Sequence, residues 1–200
     1  MEMDMGVDLD FGVDLVLQEG SIDTKIDQLK MIIFFTSIEE DNWQNNLPRI
    51  KQLAEDMNLS KKDIDSTIEY CEKSITETIN KDFLPGVLRS KITDLGKEKE
   101  NIFKIQSLWL LVNCAYYEGI CSTRKKEVLI NLTIDWSLPN ADTLLLEMEE
   151  TVVTLTDIKK YKEWIKSTNY PYDYIHSIVA ELEKSEQELA QNITLIASIG

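Results

Sequence analysis

The chain has 200 residues, 36 acidic against 21 basic for a formal charge of −15, and it is 43% hydrophobic with seven glycines and four prolines. That composition excludes a disordered chain, and the charge excludes binding that rests on clustered Lys and Arg, such as nucleic-acid or anionic-membrane binding. A divalent cation or a basic protein partner suits the surface better.

In chain order, the first element is Val7-Asp8-Leu9-Asp10-Phe11-Gly12-Val13-Asp14-Leu15, which alternates apolar and acidic residues. A period of two places the aliphatic side chains on one face of an extended segment. Residues 1–20 are therefore expected as an extended N-terminal piece outside the helical body. Asp8, Asp10, Gly12, Asp14 and Glu19 partly copy the spacing of a calcium loop, but Val13 stands where the loop's sharp turn needs glycine. These twenty residues hold six acidic and no basic side chains, the opposite of a secretory leader, so a cytoplasmic protein is expected.

From Ser21 the period becomes helical. Ile26, Leu29, Ile32, Ile33 and Phe35 predict a first helix over 22–38, followed by the polar break Glu39-Glu40-Asp41-Asn42. A second helix over 43–58 uses Leu47, Ile50, Leu53, Ala54 and Met57. Ser60 and Asp63 form a capping sequence for a third helix through 74, with Ile64, Ile68 and Cys71 inward. A fourth helix over 80–95 has Pro85 in its first turn and Gly96 as its stop.

The fifth helix, 99–117, is apolar on more than one face through Ile102, Ile105, Leu108, Trp109, Leu111, Val112 and Ala115, which places it at the centre of the core. Its apolar run is too short to span a bilayer and is broken by Asn113, so no membrane insertion is expected. Ser122 caps a sixth helix over 123–135, and Pro139 or Asn140 opens a seventh carrying Leu144, Leu145 and Met148. Thr154-Leu155-Thr156-Asp157 resembles another capping sequence, introducing an eighth helix with Ile158, Tyr161 and Trp164. After Pro171 a long terminal helix, 171–200, sets Ile175, Ile178, Leu182, Ser185, Leu189, Ile193 and Ile196 at alternating steps of three and four. That spacing packs against another helix, either within the chain across residues 21–170 or in a homodimer.

The expected fold class is all-α. Within it two segments, 25–70 and 104–149, read alike when shifted by 79 residues. Lys25-Ile26 falls on Lys104-Ile105, Leu29 on Leu108, Glu39 on Glu118, Leu53 on Leu132 and Leu59 on Leu138. Each copy reads as apolar helix, acidic turn, second helix, short loop and third helix, which predicts two related helical units.

The second copy contains Leu110-Leu-Val-Asn-Cys-Ala115-Tyr-Tyr-Glu118-Gly119-Ile-Cys-Ser122-Thr-Arg-Lys-Lys-Glu127. This resembles the signature of the tellurite-resistance TerB-like family: an apolar helix ending in Ala-x-x-Asp-Gly, a turn with a capping Ser or Thr, then a helix bearing Glu. Ala115 and Ser122 fit, Glu118 stands where Asp is expected, and Arg124, Lys125 and Lys126 replace acidic residues of the following helix. The first copy, around Phe34 to Asp41, matches more loosely, and the resemblance spans about residues 25–150. It implies a helical bundle of two related units, and a bacterial stress-response or defence protein that acts through protein-partner binding on an acidic surface, without turnover.

Chemistry-bearing residues are few. Glu39, Glu40, Asp41 and Glu118 are the candidate ligands of Ca²⁺ or Mg²⁺, because hard cations need several converging oxygens. The same Glu39, Glu40 and Asp41, with Trp43 expected exposed beside them, form the candidate surface for a protein partner of unknown identity. A divalent-cation sensor built on those turns is the alternative. Cys71, Cys114 and Cys121 have no zinc-site spacing and read as reduced thiols, and His176 is the single histidine. No nucleophile elbow, phosphate-cradling glycine loop or zincin motif occurs, so the chain is read as no enzyme. Paired carboxylates acting in a cavity remain the route by which a helical enzyme could be built.

Overall fold

The computed structural model describes residues 20–39, 43–77, 83–116 and 121–198. Its helices are α1 (Ile22–Thr36), α2 (Leu47–Asp56), α3 (Lys61–Thr76), α4 (Leu84–Lys97), α5 (Asn101–Tyr116), α6 (Thr123–Asp135), α7 (Ala141–Lys166) and α8 (Tyr172–Ser198), with one 3₁₀ turn, Trp43–Asn46, ahead of α2. Among the described residues no strand occurs, and no helix is long and apolar enough to cross a membrane. The alternating N-terminal segment lies outside the described residues.

The centre is a crossing of α1 and α5, whose inward side chains include Leu29, Met31, Ile32, Ile33, Phe34 and Phe35 against Leu108, Trp109, Leu110, Leu111 and Val112. Around it α3 and α4 cover α1, while α6 and α7 cover α5. Three helices begin as their sequences dictate. Ser21, Ser60 and Ser122 accept the amides of Thr24, Asp63 and Lys125, satisfying donors that have no partner inside the helix. At Ser60 the pairing differs from a standard capping box, since its hydroxyl bonds Asp63 Oδ2 at 2.6 Å while Asp63 N reaches Ser60 Oγ at 3.2 Å.

Two loops end in the same way. After α2, the amides of Met57, Asn58 and Leu59 bond the carbonyls of Leu53, Glu55 and Ala54. After α6, those of Trp136, Ser137 and Leu138 bond the carbonyls of Leu132, Ile134 and Thr133, each partner 79 residues further on. Asn58 and Ser137 both turn the chain in the left-handed region, with φ of 60° and 53°. The following Leu59 and Leu138 are both buried, as are the matched pairs Lys25 and Lys104, and Gln28 and Ser107. Lys104 reaches the end of α6, its Nζ donating to the Trp136 carbonyl at 3.3 Å.

Two expected boundaries are corrected. Gly96 does not stop α4. It lies inside that helix, where a β-carbon would sit 2.5 Å from Trp136 Cε2, and Trp136 Nε1 donates to Thr93 O at 3.1 Å. Its glycine is required by close approach, not by termination. The second correction concerns Thr154–Asp157, which does not cap a new helix, because α7 runs unbroken from Ala141 to Lys166. Thr154 Oγ1 and Thr156 Oγ1 bond back to the carbonyls of Glu150 at 2.7 Å and Val152 at 2.8 Å, so their hydroxyls are satisfied inside the helix.

The terminal helix docks within the chain. α8 lies along α7 and touches α5, with Ile175, Ile178 and Leu182 half-buried and Leu189 packed on the core. Lys162 of α7 holds Glu186 of α8 at 2.7 Å, with both side chains largely withdrawn from water. The side chains of Ile193 and Ile196 lie outside the described residues.

Candidate functional site

The sequence points to the loops that follow α1 and α5. Of the residues named there, Glu40, Asp41 and Glu118 lie outside the described residues. Glu39 is exposed at the end of the α1 turn, directly after the buried Ile38. Ser37 fixes that turn, its hydroxyl donating to Ile33 O at 2.7 Å.

Trp43 is not on the surface. It is 3% exposed and belongs to the hydrophobic core, so the expectation of an exposed anchor beside the carboxylates is overturned. Its neighbours Gln44, Asn45 and Asn46 are polar, yet the 3₁₀ turn aims the indole inward, where burying a large ring outweighs its single polar atom.

Among the described residues Cys121 opens the segment leading into α6, and Cys114 lies near the end of α5. Glu39, at the end of α1, adds a small raising effect on the Cys121 thiol, and Arg49 of α2 a lowering one on the Cys114 thiol. At this corner Cys121 is half-buried, with Sγ 3.5 Å from Ser122 O. Burial first, then the charge of Glu149, push its thiol up to about 11, while Lys125 and Lys126 pull the other way. Burial raises the Cys114 thiol as well. Tyr116 is pushed up to about 12, by burial and then by the charge of Glu149.

Glu149 is the residue that sequence reasoning missed. It stands on α7 at 6% exposure, its Oε2 held by Lys126 Nζ at 3.0 Å and its Oε1 without a hydrogen-bond partner. A signal was present: Glu149 falls among Leu145, Met148 and Val152, so a carboxylate sits on an otherwise apolar helix face. Lys126, noted only as a departure from the family pattern, is its counter-charge.

Chemically the corner is a neutral-thiol, paired-carboxylate arrangement. Thiols this far above neutrality are protonated at physiological pH and poor nucleophiles. His176 is exposed on α8 beside the Tyr172 ring, 5.9 Å between centroids. Among the described residues no group of three or more His, Cys, Asp or Glu stands ready to hold a metal ion. In a groove of about 460 Å³ between α4 and α6, Arg89 meets Asp135 at 3.0 Å and Thr93 meets it at 3.1 Å. None of the residues named from the sequence lines it.

Comparison with protein-family models, with curated proteins and with solved structures finds no match for this chain.

Proposed function

We propose that the chain is a non-catalytic, TerB-like protein of two related helical units that serves bacterial stress response or defence by binding a protein partner at its acidic corner. The observation that carries this reading is the recurrence, 79 residues apart, of the loop hydrogen bonds at 57–59 and 136–138 with a left-handed residue in each. That bonding pattern closes many helices, and what supports two related units is its recurrence at the same 79-residue shift as the buried pairs Lys25 and Lys104, and Gln28 and Ser107. In this reading Glu39 and Glu118 are equivalent corners, and the small contribution of Glu39 to the raised Cys121 thiol supports a shared corner between the end of α1 and the start of α6. With the formal charge of −15, the partner that fits is basic.

Trp43 drops out of the binding surface, leaving Glu39, Glu40, Asp41 and Glu118. The test is affinity capture from tellurite-stressed bacterial lysate with the wild-type chain and with a Glu39→Lys, Asp41→Lys variant. One protein retained stoichiometrically by the wild type and lost by the variant, at equal melting temperature, is the expected outcome. Identical captured sets would sink the reading. Millimolar Ca²⁺ or Mg²⁺ serves as the second arm, because a cation bound selectively by the native state would raise the melting temperature and favour the sensor alternative.

A further inference from the structure

α7 carries apolar side chains on two opposite sides. Leu144, Leu145, Met148, Val152, Leu155 and Ile165 face the core, whereas Leu146, Val153 and Trp164 are 53%, 37% and 53% exposed. The exposed three belong to one row, Leu146, Glu150, Val153, Asp157, Lys160 and Trp164, every member of which is exposed. Steps of four and three residues alternate along it, the spacing by which one helix packs along another. At 1.5 Å per residue the row is about 27 Å long. α8 occupies a different side of α7, through Lys162 and Glu186.

The row is symmetric about the level of Leu155. Turned antiparallel onto a copy of itself, it sets Leu146 against Trp164, Glu150 against Lys160, and Val153 against Asp157 of the partner, and each pairing occurs twice. The apolar ends meet apolar ends and Glu150 meets the oppositely charged Lys160, while Asp157 faces Val153. Asp157 stays within one turn of Lys160 on its own helix. A parallel pairing would instead face Glu150, Asp157 and Lys160 each against its own copy, placing like charges in three layers.

The surroundings extend the match. Tyr161 stacks on Trp164 with ring centroids 5.4 Å apart, forming a single aromatic projection. At the other end Lys126, Ile130 and Ile134 share one row of α6, and that row borders α7 because Lys126 reaches Glu149 at 3.0 Å. Ile130 and Ile134 are exposed there, the latter at 64%, and enlarge the apolar area that would receive the aromatic projection of the second copy.

We infer that the chain forms a two-fold homodimer through the outer face of α7, antiparallel to α7 of a second copy. This interface is separate from the acidic corner and does not depend on the function proposed for it.

Sedimentation equilibrium on the full chain tests the pairing by charge exchange. The wild type is expected at twice the chain mass of 23.1 kDa at high protein concentration. Lys160→Glu alone and Glu150→Lys alone each place like charges opposite one another twice and are expected to weaken dimerisation by at least about tenfold. Mixing the two variants restores complementary pairs and is expected to yield a heterodimer at wild-type strength. Circular dichroism checks that each variant is folded. A wild type that stays monomeric would overturn the inference, as would a dimer indifferent to both substitutions or one that fails to re-form on mixing. Dimerisation that survives these changes but is lost on altering α8 would assign the seam to the terminal helix instead.

Discussion

Trp43→Ala is expected to destabilise the fold by about 3–5 kcal/mol, the range for deleting a buried aromatic ring. The indole is 3% exposed and packs into the same cluster as Ile38, Ile50 and Leu53. With total stabilities of about 5–15 kcal/mol for natural domains, the variant should lose a large part of its margin and unfold at much lower urea. Trp43→Phe keeps most of the buried ring and should cost appreciably less. Urea denaturation followed by circular dichroism measures both. A loss under about 0.5 kcal/mol, the usual effect of a surface substitution, would place the ring outside the core. The same reasoning disqualifies Trp43→Ala as a binding test, because any lost interaction would report a lost fold.

Stability is expected to fall steeply above pH 9, and Cys71 should contribute to the fall, as should Cys114, whose thiol burial also raises. Burial pushes its thiol from the usual 9.0 to about 12, against the opposing charges of Lys30 and Lys91. Cys121 at about 11 and Tyr116 at about 12 shift in the same direction. All are acids whose folded pKa is raised. Below the unfolded value both states hold the proton, and this part of the stability is fully present. Above it the unfolded chain releases protons that the folded chain retains, so the free energy of unfolding declines until the folded groups ionise as well. At about pH 11 Cys71 alone accounts for a loss of about 3 kcal/mol. Urea midpoints at about pH 8 and about pH 11 measure the decline, and Cys71→Ala, although less stable at neutral pH, should show a shallower one. An equal decline in the two proteins would mean that Cys71 ionises in the folded state much as it does in the unfolded chain.

Much of the fold was legible because its determinants are local. Ser60 and Ser122 mark helix starts through hydroxyl groups acting within one turn, and the all-round apolar character of residues 102–115 places α5 at the centre. The failures came where distant contacts decide. Gly96 looks like a stop in isolation, and only the Trp136 ring, forty residues on, makes it a packing position. Thr154 and Thr156 look like caps, yet hydroxyls that bond back to preceding carbonyls let α7 continue. Trp43 was judged by its polar neighbours, although in the 3₁₀ turn its ring is buried while Gln44 and Asn45 stay exposed. At the corner, Glu39 was named from the sequence, but the Lys126–Glu149 pair joins residues 23 apart in sequence on different helices. No single-helix periodicity links those two, although the carboxylate on an apolar face was visible.

The central claim is that Glu39 at the end of α1 and Cys121 at the start of the α6 segment share one corner of the molecule. Intramolecular cross-linking tests it most directly, using Glu39→Cys with native Cys121 after Cys71 and Cys114 are replaced by alanine. A short bis-maleimide is expected to join positions 39 and 121 within one chain, seen by mass spectrometry as a single linked peptide pair. If both thiols take up the reagent yet are never joined, the loops lie apart, and the shared acidic corner does not exist.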